Sequence, residues 1–97
     1  MSKYEPLQSY LAGLPAGTQD KTMTFAQIEK IIDAKLPPSA YEYRPWWANE
    51  YRSTHTHARF WLNAGWKVDS VNLSDEWVQF KRTEGILTVT ISRQAEN

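Results

Sequence analysis

Between Tyr41 and Trp66 the chain reads YEYRPWWANEYRSTHTHARFWLNAGW, and these 26 residues hold eight of its thirteen aromatic side chains, four of its five tryptophans and both histidines. Few features limit a small fold as much. Each buried indole removes a large apolar area from water but carries an N–H that needs a partner. In a chain of 97 residues, which has room for one core and no second domain, such a stretch must form the core, meet a partner, or divide between the two.

Local patterns arrange the rest around it. Leu7, Tyr10, Leu11 and Leu14 recur on one helical face behind Pro6, which suits a first helical turn. Gly13, Pro15 and Gly17 end that helix. Thr24 and Gln27 stand three apart ahead of an apolar run, the spacing of a capping box, and predict a second helix through TFAQIEKIIDAK, with Thr22 to Thr24 able to add a very short strand before it. Pro37 and Pro38 stop that helix and can start another over SAYEYR, until Pro45 breaks or restarts it before WWAN. Ser53 or Thr54 is placed to cap a fourth helix with Ala58, Trp61 and Leu62 inward, Arg59 and Asn63 outward and Gly65 as its stop.

After Gly65 the apolar period changes from that of a helix to that of a strand. WKVDSVNL and EWVQFKR read as a hairpin turning at Ser74 and Asp75, with Val78 and Phe80 on one face. Trp66 and Val68 are out of phase with Val71 and Leu73, which a bulge near Asp69 or Ser70 would reconcile. ILTVTISR alternates as a further strand over residues 86–92. The expected fold is therefore α+β: three to four short helices packed on a three-stranded antiparallel β-meander, with a winged-helix-like arrangement among its readings.

Charge and composition exclude more than they identify. Eleven basic residues balance eleven acidic ones, so net charge favours neither nucleic acid nor membrane, although Lys35 to Lys67 carries a local excess of three positive charges. Without cysteine there is no disulfide frame and no thiolate metal site. The start lacks an apolar run suited to a signal peptide and no stretch has the length of a membrane span, so a cytoplasmic protein is expected.

The succession MTFAQIEKII, LPPSAY, RPWWAN, HARFWLNAGWKVDSVNL and WVQFKR resembles a family of small uncharacterised prokaryotic domains. Its pattern is MTFxxIExI, LPxSA, WWxN, WxxAGWxV and VxFxR, and the likeness covers roughly residues 4–82 of the single domain. Members of this kind occur alone or joined to nuclease-like domains, so the resemblance implies DNA or mobile-element biology, in a prokaryote or phage. It brings no catalytic residues and no cofactor.

The candidate site is a surface of arginine and aromatic side chains. Trp61 and Trp66 belong to the core by their spacing, whereas adjacent Trp46 and Trp47 cannot both face one core from a helix, so one indole is expected buried and the other partly exposed. Arg44, Arg52, Arg59, Lys67, Lys81 and Arg82 would neutralise phosphates, with Lys81 and Arg82 on the outer turn of the hairpin, while Asn49 and one of the paired tryptophans would contact bases. Ser39, Tyr41 and Tyr43 are placed either for backbone phosphates or as a cap and two core flanks. The resulting expectation is a nucleic-acid-binding module, for DNA. The rival is a protein-interaction module, such as an accessory subunit or an inhibitor of a defence enzyme, using the same patch. No metal or cofactor is expected, and a small hydrolase or nuclease using His55 or His57 ranks last among the readings. His55 and His57 lack the companions that metal binding or acid-base chemistry needs, and a homodimer through the C-terminal strand is a further expectation.

Overall fold

A computed structural model describes residues 3–50 and 57–83. Among them lie α1 (Glu5–Ala12), β1 (Asp20–Thr24), α2 (Phe25–Ile32), α3 (Pro38–Glu42), a 3-10 turn (Arg44–Trp47), α4 (Ala58–Asn63), β2 (Trp66–Asn72) and β3 (Trp77–Arg82). The architecture is α+β, with a three-stranded antiparallel sheet in the order β1-β3-β2.

The capping box forms as expected. Thr24 Oγ1 accepts from the Gln27 amide at 3.0 Å, and Gln27 Oε1 accepts from the Thr24 amide at 2.9 Å. Two of the amides that a helix start leaves unpaired are thereby satisfied, and α2 begins one residue after β1 ends. The chain leaves α4 through Gly65 at φ +89°, a left-handed conformation for which glycine pays no Cβ penalty, and enters β2 at once. The hairpin register passes from Val68↔Phe80 to Ser70↔Gln79, leaving Asp69 bulged where the apolar phase slips. Trp66, Val68 and Val71 therefore share the inner face with Phe80 and Val78, the partners of Val68 and Val71.

The identity of one strand differs from expectation. β1 pairs with β3 along Asp20↔Lys81 to Thr24↔Trp77, so β3 is central and both its edges are filled. The strand expected over 86–92, and the dimer contact assigned to it, lie outside the described residues, as do the candidate caps Ser53 and Thr54.

The helices bury Leu7, Leu11, Phe25, Ile28, Ile32, Trp47 and Trp61 against Met23, Trp66, Val78 and Phe80 of the sheet. The opposite face carries Asp20, Lys81 and Lys67 in one row, Thr22, Gln79 and Ser70 in the next, and Thr24, Trp77 and Asn72 in the third. None of these nine side chains is buried.

Between α2 and α3 the chain is fastened by Glu29, whose Oε2 accepts from the Leu36 amide at 2.9 Å and from the Tyr41 hydroxyl at 2.7 Å. Partial burial pushes the Glu29 carboxyl upward, but the Tyr41 hydroxyl, the Leu36 amide and nearby Lys35 outweigh it and hold the group below its ordinary value. Tyr41 is pushed up to about 12, first by burial, then by its bond to Glu29 and by the charges of Glu29 and Glu76. The depressed carboxylate contributes stability above its unfolded pKa and loses that contribution as pH falls through the folded value. The raised phenol contributes below its unfolded pKa and loses that as pH rises toward 12. Urea unfolding followed against pH should thus give a plateau at neutral pH that declines on both sides. Tyr41→Phe should lower the plateau by about 0.5–1.5 kcal/mol, the worth of one hydrogen bond, and remove the part of the alkaline decline that Tyr41 causes.

Candidate functional site

The 3-10 turn brings Trp46 and Trp47 into the core together, contrary to the expectation that one would be exposed: Trp46 is 7% and Trp47 2% accessible. Two different surfaces cover them. Trp47 lies parallel to Phe25 of α2 at 5.0 Å and to Trp61 of α4 at 5.8 Å, and its indole N–H donates to the Ala40 carbonyl at 2.9 Å. Trp46 stacks on His57 with ring centres 3.8 Å apart and planes 8° from parallel, under the ring of Tyr4 at 6.3 Å. His57 Nε2 lies 2.6 Å from the Trp46 carbonyl oxygen and the residue is buried, so this histidine completes the aromatic core. His55 lies outside the described residues, among which no group of three or more His, Cys, Asp or Glu could hold a metal ion.

Asn49, expected at a base edge, has its amide engaged with the protein. Its Oδ1 accepts from the Trp61 indole at 3.0 Å and from the Val68 amide at 2.8 Å, and its Nδ2 donates to the Val68 carbonyl at 2.8 Å. One side chain thus pairs both backbone groups of Val68, as a neighbouring strand would. Arg44 Nη1 donates to the Val71 carbonyl at 2.6 Å, so two side chains guard the outer edge of β2. A shallow groove of about 440 Å³ runs between the turn and β2, with Arg44 and Asn49 among its walls and Asp69 of the bulge at its rim.

Lys81 and Arg82 stand at the open end of the hairpin, away from its turn at residues 73–76, which corrects their expected position on an outer turn. The turn itself carries Asp75 and Glu76. Arg82 reaches back to α1's exit loop, donating from Nε to the Thr18 carbonyl at 2.7 Å and from Nη2 to the Pro15 carbonyl at 2.9 Å, with its guanidinium 4.5 Å from the centre of the Trp66 ring. It is a clamp between the loop and β2. Lys67 and Lys81 remain exposed and are directly opposed in the register, an arrangement of like charges that costs a little stability. Arg59 is exposed on α4, and Arg52 lies outside the described residues.

Among the described residues the large aromatic ring left exposed is Tyr43, 55% accessible and next to Arg44. Sequence reasoning named Tyr43 only as a phosphate contact or core flank. The signal for its exposure was available: Pro45 and two tryptophans that need burial on the far side of it leave Tyr43 and Arg44 to point outward. Ser39 is exposed at the start of α3, while Tyr41 turns inward to Glu29.

Fold and site together define a small α+β domain with four of its tryptophans, Trp46, Trp47, Trp61 and Trp66, in the core. Residues 4–83 match the family described as a domain of unknown function, DUF7662, and the chain belongs to that family. No curated protein and no solved structure matches it. Among the described residues no helix is long and apolar enough to cross a membrane.

Proposed function

We propose that the chain is a small nucleic-acid-binding module, for DNA, that uses a winged-helix arrangement. The observation that carries this reading is the combined order of elements and strands. α1, β1 and α2 are followed by a helix, α4, that packs across α1 and runs directly into the β2–β3 hairpin, with β1 on the far side of β3. That is the order of a winged helix, with α3 and the 3-10 turn inserted. In helix-turn-helix relatives the last helix enters the major groove. Here α4 has Arg59 and Asn63 on its exposed side, and the helix expected from SAYEYR is only five residues long. Asp75 and Glu76 at the hairpin turn oppose phosphate, so the contact falls on the other end of the sheet, through Lys67 and Lys81 with Arg59. The resemblance to domains joined to nuclease-like neighbours accords with a role at DNA.

Three phosphate contacts predict a log-log salt slope of about −2.7 for a duplex, so affinity should fall about fortyfold between roughly 50 and 200 mM salt. Fluorescence anisotropy with a labelled duplex measures this. Lys67→Ala with Lys81→Ala should reduce the slope by about 2 and leave the fold intact, since it removes a like-charge pair. A salt-independent affinity would overturn the reading.

A second reading rests on the open sheet face. Trp77 is half-buried there between Thr24 and Asn72, in a chain of zero net charge, and an aromatic ring among small polar groups suits a protein partner. A stoichiometric complex that resists nuclease and is lost in Trp77→Ala would favour it.

A further inference from the structure

We infer that the groove between α1, β1 and α2 is a binding site for a small organic carboxylate, distinct from the surface assigned to nucleic acid. Tyr10, Lys21, Met23, Gln27, Lys30 and Ile31 line a groove of about 250 Å³. Its chemistry is divided in the way such a ligand is divided. Met23, 2% accessible, and the partly buried Ile31 give an apolar floor. The polar residues of the lining, Lys21, Lys30, Tyr10 and Gln27, can each donate a hydrogen bond.

Three features make the groove more than a dent between elements. Lys21 shares its register row with Phe80, so it leaves the edge strand β1 on the core side of the sheet and lines the groove. Lys30 approaches from α2, and among the described residues neither lysine has an ion-pair partner and no carboxylate lines the groove, although the chain has eleven acidic residues. An anion entering the groove would meet two cationic residues and no acidic one. Finally, Gln27 is held by the capping box, with Oε1 accepting from the Thr24 amide, which leaves its Nε2 as a fixed donor.

Size and floor select the ligand. Pockets for drug-sized molecules run to about 300–1,000 Å³, so this one suits a single aromatic ring or a short acyl chain bearing one carboxylate. Inorganic phosphate would engage the lysines but leave the floor uncovered. A neutral body of the same shape would cover the floor but leave the ammoniums unpaired.

The test is an amide-shift titration by two-dimensional NMR with phenylacetate and with hexanoate, against 2-phenylethanol and inorganic phosphate. At least one carboxylate should give saturable shifts confined to residues around Tyr10, Lys21 to Met23 and Gln27 to Ile31. The alcohol and phosphate should bind at least fivefold more weakly. Lys21→Met with Lys30→Met, which keeps the apolar stems and whose folding the same spectra report, should weaken carboxylate binding at least tenfold. The inference is overturned if neither carboxylate saturates, if the shifts fall elsewhere, if either control binds as tightly, or if the double variant binds undiminished.

Discussion

Trp47→Ala should remove about 3–5 kcal/mol of stability, the range for emptying a buried aromatic site. A domain of this length has roughly 5–15 kcal/mol in total, so the variant would be marginally folded, with its thermal midpoint lowered by well over 10 °C. The size of the effect follows from what Trp47 joins. Its ring lies between Phe25 of α2 and Trp61 of α4 and meets Trp46 edge-on at 4.7 Å, while its N–H closes on Ala40 of α3. Removing it separates three helices at one point, and none can collapse into the space without dragging the others. Trp47→Phe should cost less, because a ring remains between Phe25 and Trp61, but the Ala40 carbonyl loses its donor in a buried position. Circular dichroism during heating and urea titration measures both. A loss below about 1 kcal/mol for the alanine variant would mean that Trp47 is not the structural post that its contacts imply.

That result also bears on how the aromatic stretch should be read. Its density correctly marked the organising part of the chain, and the spacing of Ala58, Trp61 and Leu62 correctly turned α4. Trp46 and Trp47 are not two residues of one α-helix facing one core: the 3-10 turn sends both inward. Trp46 is covered by His57 and Tyr4, which are 11 and 42 positions away, and no local pattern reports such a lid. The same division separates the other successes from the failures. Thr24 with Gln27, Gly65 and the phase slip at Asp69 are local, and each was legible. The pairing of β1 with β3 joins residues more than fifty positions apart, and a short DKTMT has little alternation to announce it. Lys81 and Arg82 could be seen to be basic, but not that Arg82 would close on Pro15 and Thr18.

For the candidate site, residue chemistry was legible and its recipient was not. A primary amide offers a donor beside an acceptor, and that pair fits the edge of adenine and the edge of a strand alike. Asn49 meets Val68, and a guanidinium suited to phosphate meets backbone carbonyls at Arg44 and Arg82. What decides between the two uses is whether an unpaired backbone edge lies within reach, a property of the folded chain. Lys67 and Lys81, exposed side by side on the open sheet face, are accordingly better candidates for a partner than the buried tryptophans that first drew attention.

Asn49→Ala provides the sharpest separation of these two uses. Although the residue is exposed at the surface, its Oδ1 supplies the acceptor for the indole N–H of Trp61, a residue only 1% accessible. Stranding that donor costs about 1–3 kcal/mol, and losing the two bonds to Val68, which water can partly replace, adds less. The expected total is about 2–3 kcal/mol in urea unfolding. Asn49→Asp keeps the acceptor for Trp61 and the Val68 amide but turns an anionic oxygen toward the Val68 carbonyl, so it should fall between wild type and alanine. The alanine variant also uncovers the outer edge of β2 beside the bulge, and an unguarded edge invites strand pairing between molecules. Sedimentation should therefore become concentration-dependent in Asn49→Ala. If Asn49→Ala instead leaves stability and association unchanged while weakening DNA binding, the amide reads a base edge and the bonds to Val68 are incidental.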